Sequence, residues 1–307
     1  MKQVLVVQYS QSGQLSDVLS NLIAPLLADP AMEVTVETLR PQVPYPFPWP
    51  VLRFFDTFPE AIYLDPPPLQ PLAVDPTRRF DLVILGYQAW FLSPSLPVTA
   101  FLKSPEAARL LRDTPVVTVV ACRDMWLMAQ ERVKELLAAT GARLVGHVAL
   151  TDEAGSVGSF LATPLWVMTG KRGPRLFGLI PRAGVSPEQI RNSRRFGERI
   201  ASVLTRGEPL DGHLLENLQA VRVNERLISS ERAIRSGFLV WGRMLRALGP
   251  QGAIQRKPLL LLYIVWLVLM ILTVVPLAAL IKALLTPLTQ KRVAAQKAYY
   301  GAPSGSR

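Results

Sequence analysis

The chain has 307 residues, 50% of them hydrophobic and 19% charged, with a net charge of +11. That length holds one α/β domain plus roughly one hundred further residues. One cysteine, Cys122, excludes an intrachain disulfide framework and suits a reducing compartment, and with only two histidines, His147 and His213, no metal site is expected.

Lys2 and the apolar run after it look like the start of a signal sequence, but the run is too short and meets polar residues at once. Gln3 to Tyr9 instead reads as a strand buried on both faces. The turn Ser10-Gln11-Ser12-Gly13-Gln14 follows, and then Leu15, Val18, Leu19, Leu22, Ile23 and Leu26 recur at helical spacing. Glu33 to Leu39 is the second predicted strand. Arg40 to Pro76 is dense in proline and aromatics, which prevents a long helix or a central strand. It is expected to form an irregular apolar loop with a short helical piece around Pro50 to Thr57. Asp81 to Gly86 is the third strand, and a helix with an early proline begins near Pro97. Pro115 to Ala121 is the fourth strand. Met125 to Thr140 is a helix closed by Gly141, and Arg143 to Leu150 is the fifth strand. Strands alternating with helices predict a doubly wound, five-stranded parallel sheet with right-handed crossovers.

Thr151 to Gly184 breaks this pattern and reads as an insertion. Ser186-Pro187-Glu188 then starts a helix that runs to about Thr205 and completes a domain spanning 1–206. Residues 207–257 read as a basic linker of amphipathic helices. Pro258 to Ile281 contains no charge. As a helix it would be about 36 Å long, enough to cross the roughly 30 Å hydrocarbon layer, so 258–282 is expected to be a transmembrane helix. Residues 283–307 would be a basic, disordered tail.

Charge divides along the same lines. Residues 1–150 carry 12 basic and 14 acidic groups, residues 151–257 carry 17 and 9, and residues 258–307 carry 5 and none. A basic half beside a hydrophobic helix points to anionic membrane lipid. No helix-turn-helix, zinc-finger or RNA-binding signature is present, so nucleic acid is not an expected partner. The N-terminal domain is expected on the cytoplasmic face, because lysines and arginines crowd the near side of the helix.

The first strand-to-helix turn carries the chemistry. A helix N-terminus is an anion site, Ser10 and Ser12 add hydroxyls, and Gly13 lets the backbone approach a phosphate. The competing reading is a turn that only caps its helix. Tyr87-Gln88-Ala89-Trp90-Phe91 after the third strand and Cys122-Arg123-Asp124-Met125-Trp126 after the fourth would reach the same carboxyl edge, at the switch point where such sheets bind ligands. Trp90 and Trp126 also read as core aromatics. The spacing lacks the G-x-G-x-x-G of a pyrophosphate site.

YSQSGQLSDV resembles the flavodoxin phosphate loop, and FDLVILGYQAWFLSPSLPVTAFL resembles the third-strand region of flavodoxin-like oxidoreductases. The resemblance covers about residues 2–150 and the helix near 186–205. It implies FMN, with Ser10, Gln11, Ser12, Gly13, Gln14 and Leu15 at the phosphate. It implies Tyr87, Gln88, Ala89, Trp90 and Phe91 on one side of the flavin ring, and Cys122, Arg123, Asp124, Met125 and Trp126 on the other. Leu15 stands where the family has a last hydroxyl residue. A narrower resemblance, in YSQSGQL, CRDMWLMAQ and the basic C-terminal half, is to proteins of dialkylresorcinol biosynthesis, often labelled condensing enzymes. A condensing enzyme needs a nucleophilic cysteine with histidine partners, which this chain does not supply. The resemblance therefore implies the oxidative step, aromatisation of an alkylated cyclohexanedione. By position, Asp124 in a ring-flanking loop is the candidate base, and His147 in the fifth strand reads as a packed or edge residue.

The expected function is a membrane-anchored FMN oxidoreductase with a hydrophobic substrate. Its rivals are a quinone reductase, a flavodoxin-type electron carrier and a flavin-free scaffold. A pI near 10.1 opposes the carrier, which docks through an acidic surface. The Arg40–Pro76 and Thr151–Gly184 segments carry Tyr45, Phe47, Trp49, Phe54, Phe55, Phe58, Phe160, Trp166 and Phe177, the last two near Lys171, Arg172 and Arg175. They read either as interfacial loops or as covers for the sheet.

Overall fold

The structure is a computed structural model that describes residues 1–152, 155–273, 277 and 290–303, without the side chains of 155–160. Its centre is a five-stranded parallel sheet of β1 (Lys2–Gln8), β2 (Met32–Thr38), β3 (Leu82–Tyr87), β6 (Pro115–Cys122) and β7 (Arg143–Thr151), in the order β2-β1-β3-β6-β7. Registers run Val4↔Val34, Val6↔Ile84 and Leu85↔Thr118. Two-residue strands β4 (Ala89–Trp90) and β5 (Ser93–Pro94) form a small hairpin beyond β3. The inner strands β1, β3 and β6 are largely apolar on both faces because helices cover both sides of a parallel sheet.

Helix α1 (Gln14–Ala28) buries the apolar stripe read from the sequence. It packs against α9 (Arg194–Arg206), which comes after the short α8 (Pro187–Asn192). The approach is close: a Cβ built on Gly197 would lie 1.7 Å from the Leu22 carbonyl oxygen. On the other face lie α4 (Leu96–Leu102), α5 (Pro105–Leu111) and α6 (Leu127–Thr140). Ser104 starts α5 by accepting from the Ala107 N–H at 3.1 Å. The proline-rich segment supplies two short helices, α2 (Val51–Asp56) and α3 (Phe58–Ile62), in place of a crossover helix. The insertion contains α7 (Gly155–Thr169), whose glycines and Pro164 disguise it in the sequence.

The region 207–257 is built into the same core. Leu214, Leu215, Ala220 and Val221 are buried, and the Ala149 N–H donates to Ala220 O at 2.8 Å beside β7. Helix α10 (Glu225–Ala247) packs on α3 and α6. Helix α11 (Arg256–Leu272) lies against α2 and α10. Arg256 is buried and ion-paired to Asp56 at 3.3 Å and to Glu60 at 2.7 Å. Phe58, Phe91, Phe238, Trp241, Tyr263 and Trp266 form the aromatic joint between these elements.

This arrangement corrects the transmembrane expectation. Among the described residues no helix is long and apolar enough to cross a membrane. Part of 258–282 lies outside the described residues, but the chain beyond it returns to the domain. Residues 290–301 are helical rather than disordered. Arg232 on α10 donates to the Tyr300 hydroxyl at 2.9 Å, and the Tyr299 hydroxyl donates to Glu131 on α6 at 2.8 Å. A single crossing between 258 and 282 would put these tyrosines on the opposite face of the bilayer from α6 and α10. Residues 283–289 and 304–307 of the tail lie outside the described residues.

Candidate functional site at the carboxyl edge

The connection after β1 runs through α1 to β2 on one side, and the connection after β3 runs through α4 and α5 to β6 on the other. That makes the carboxyl edge between β1 and β3 the switch point of the sheet, where the loops after β1, β3 and β6 emerge. Gly13 is the N-cap residue of α1 and takes a left-handed conformation, φ 82° and ψ −23°. It is exposed, a Cβ built there meets nothing within 4 Å, and no side chain caps the helix. The Ser10 hydroxyl oxygen is buried and has no hydrogen-bond partner among the described residues. An uncapped helix start and an unpartnered buried hydroxyl form a cradle suited to an anion.

The other members of this turn have structural duties. Gln11 donates to Pro46 O at 2.8 Å, tying the turn to the proline-rich segment. Gln14 is buried, donating to Val185 O at 3.1 Å and accepting from the Val185 N–H at 3.2 Å. Leu15 points into the core, so only its backbone can face a ligand. Ser12 is half-buried.

In the β3 loop Gln88, Ala89, Trp90 and Phe91 are half-buried, and the Gln88 side-chain oxygen has no partner among the described residues. Trp90 meets Tyr9, Tyr45 and Trp49 edge-on, with centroids 6.0, 5.0 and 5.7 Å away. The hairpin turn places Phe91 at φ 49° and Leu92 at φ 61°. Two-residue hairpins need positive φ at both positions, which asparagine and glycine adopt easily. Phenylalanine and leucine there cost roughly 1–2 kcal/mol each. Packing of Phe91 on Phe54, Phe58 and Phe238 holds the strained turn in place.

Two expected ring-flanking residues lie in the core instead. Tyr87 is fully buried, and its hydroxyl donates to Gln130 at 2.8 Å. Gln130 donates to Thr118 at 3.1 Å, and Thr118 pairs with His147 Nδ1 at 2.8 Å. Trp126 is also buried, 5.0 Å from the His147 ring. Burial pushes His147 down to about 3, with Lys134 adding to the effect, so it stays neutral in the core. In the β6 loop Cys122, Arg123, Asp124 and Met125 remain half-buried. Burial of the thiol, with Asp124 adding to the effect, holds Cys122 well above its ordinary range and disfavours the thiolate. Asp124 accepts from Asn224, the N-cap residue of α10, at 2.7 Å.

Two functional residues were not apparent from the sequence. Glu231, on α10, is fully buried and accepts from the Leu127 and Met128 N–H groups at 3.3 and 2.8 Å, capping α6 directly behind the β6 loop. Burial pushes its carboxyl up to about 7. Its only sequence signal is an acidic residue inside an arginine-rich helix, beyond the Glu225 of the first turn. The second is Arg172. Its guanidinium lies over the Trp166 ring at 4.7 Å. A Cβ on Gly184 would touch both Trp166 and Gln14, so this ring stands against the phosphate-loop turn. Burial and the neighbouring Arg182 hold Arg172 below its ordinary range, while Asp17 in the first turn of α1 acts in the opposite sense.

The aromatic segments mainly cover the sheet. Trp49, Phe58 and Trp166 are buried, and the Trp49 N–H donates to Val167 O at 2.9 Å. Phe177 differs, standing fully exposed between exposed Leu176 and Leu179.

No family model matches the sequence, and no curated protein does. Among solved structures the chain is similar to a flavoprotein from Lactobacillus acidophilus crystallised with FMN. Identity is 16%, coverage is 48% of this chain and 93% of that one, and the TM-score is 0.39. It is also similar to a flavodoxin from the domain Archaea, at 11% identity, 67% and 99% coverage and TM-score 0.36. A WrbA-like flavodoxin from Agrobacterium tumefaciens gives 14%, 67% and 99%, and 0.36. At these scores the likeness adds no weight of its own. The flavodoxin-like fold is defined by the strand order, in which the second strand lies outside the first and the rest run on in sequence.

Proposed function

We propose that this chain is an FMN-binding oxidoreductase-type flavoprotein that works at a membrane surface on a hydrophobic substrate. The observation that carries the cofactor is the anion cradle at the switch point: the uncapped α1 start, Gly13 in its left-handed conformation and the unpartnered Ser10 hydroxyl. These residues would hold the terminal phosphate, with Ser12 beside them and Arg172 supplying positive charge. Gln88, Trp90 and Phe91 on one side and Cys122 to Met125 on the other would border the ring. Bound FMN supplies two-electron redox chemistry. The protein orients the substrate and excludes water, and Asp124, fixed by Asn224, would take up the proton. The test is the visible flavin absorbance of the purified protein, with mass spectrometry of what co-purifies. FMN at near-stoichiometric content is expected. A colourless protein that FMN does not bind would leave the scaffold reading.

The membrane reading rests on the outer face of α11. Leu261, Leu262, Val265, Leu269 and Leu272 are exposed there, and the sequence has no acidic residue after Glu231. An apolar helix face within a cationic region fits an anionic bilayer, with the helix lying in the interface rather than crossing it. The flavin domain would sit on the cytoplasmic face. Vesicles containing phosphatidylserine should bind the full chain, and phosphatidylcholine vesicles should bind it weakly. Leu262→Gln with Leu269→Gln should abolish binding without lowering flavin content. A dimer that these substitutions disrupt, with no vesicle binding, would assign the face to a second copy instead. Within this reading, aromatisation of an alkylated cyclohexanedione is the reaction class we favour. A quinone reductase would use the same lipid-facing surface, and turnover with each substrate class separates the two.

A further inference from the structure

A groove of about 480 Å³ opens where α11 begins, lined by Lys257 and Leu260 of that helix and by Val43 and Leu52 of the proline-rich segment. Its volume falls in the range of small-molecule sites, and its lining is mostly apolar. The groove contains Asp56 and Arg256, but these are paired with each other and with Glu60 and so need no counter-ion from a ligand. Tyr45 also lines it, and the Tyr45 hydroxyl is buried with no partner among the described residues. The Tyr45 ring lies 5.0 Å from Trp90 and 6.5 Å from Tyr9, the residue before Ser10. One aromatic ring therefore separates the groove from the two loops of the candidate site. Val43, Leu52 and Lys257 are exposed, so the groove is open to solvent beside the outer face of α11.

We propose that this groove is the substrate subsite, taking a single-chain amphiphile with an oxygen-bearing head. The alkyl chain lies between Leu52 and Leu260, and the head oxygen accepts a hydrogen bond from the Tyr45 hydroxyl. The inference rests on the hydrophobic-substrate reading and gives it a location and a chemical class. An unpartnered buried hydroxyl on a residue that lines a mostly apolar groove is the feature that such a head would satisfy.

The test is titration of the full chain with dodecylphenol and with phenol, below the concentration at which dodecylphenol aggregates. Each buried methylene contributes about 0.8 kcal/mol, so even two of them favour the long chain roughly tenfold. Dodecylphenol is expected to bind at least tenfold more tightly than phenol. Leu52→Trp, which fills the groove from an exposed position, should remove this preference, and Val43→Trp, also exposed, should do the same. Tyr45→Phe should weaken both ligands about fivefold while keeping the preference. Equal binding of the two phenols, or full preference in both tryptophan variants, would overturn the proposal. Flavin content is measured on the same samples. Chain preference in a protein that binds no FMN would overturn the cofactor reading and leave the groove. FMN without chain preference would do the reverse.

Discussion

Replacing Gly197 with alanine tests the packing that fixes the candidate phosphate site. Helix propensity alone predicts stabilisation by about 1 kcal/mol, because Gly197 lies inside α9. The tertiary structure predicts the opposite sign. The new Cβ would lie 1.7 Å from the Leu22 carbonyl oxygen and 2.9 Å from its carbon. Comfortable contact begins at 3.4 Å, so α9 and α1 must separate by about 1.7 Å. The obstacle is backbone, which cannot rotate aside as a side chain does. A gap of even 0.5–1 Å forfeits roughly a quarter to a half of the dispersion well for each contact across it. Phe196, Ile200 and Leu204 on α9 are buried and would be affected. Overpacking of this kind costs about 1–3 kcal/mol and occasionally more. Backbone against backbone puts the cost at the upper end, about 3 kcal/mol, so after the propensity gain the net expectation is a loss of about 2 kcal/mol, which lowers Tm by roughly 4–8 °C. Thermal melting followed by circular dichroism, with a urea titration, measures it. Flavin affinity should fall as well, because α1 carries the phosphate turn. A G197A protein as stable as the parent, or more stable, would refute the α1–α9 docking.

The geometry sets three further expected outcomes. Ser10→Ala should leave Tm within about 1 °C, because the hydroxyl has no partner to lose, while FMN affinity falls about fivefold; Arg172→Ala should weaken FMN further at low salt than at high salt, and unchanged affinity in both would remove the phosphate-site assignment. Glu231 is raised from 4.5 to about 7, so the folded chain holds this proton more tightly than the unfolded chain does. Stability should therefore fall by on the order of 3 kcal/mol as pH rises from about 4.5 through 7, and level off above that. Glu231→Gln should flatten this part of the stability-pH curve measured by denaturant titration, and an unchanged slope would assign it to other groups. Arg256→Met should cost about 3–5 kcal/mol by leaving Asp56 and Glu60 without their cation, and adding Asp56→Asn and Glu60→Gln should recover most of it; a single variant with an unaltered unfolding midpoint would contradict the buried network.

The sheet and the turn after its first strand were legible in the sequence because they are written in local pattern. β-branched runs such as Val4 to Val7 and Val116 to Val120 need no distant partner to be recognised, and neither does a glycine that must take positive φ at Gly13. Which residues of the β3 and β6 loops face a ligand was not legible. A strand buried on both faces carries no alternation to orient the residue at its end, so Tyr87 and Trp126 read as site residues until their burial was seen. The cap that Glu231 places on α6 joins residues more than one hundred positions apart, and no local signal marks it. The uncharged run after Pro258 shows the limit most clearly. Its composition is the same whether lipid surrounds it or whether one side lies on α2 and α10. The sequence alone determined that this segment is apolar and helical at its start. The return of Tyr299 and Tyr300 to α6 and α10, together with the burial of Arg256 and Tyr263, decided that the described start of this segment packs on the domain. Those contacts depend on the folded positions of residues far apart in the chain, and hydropathy is a property of each residue alone.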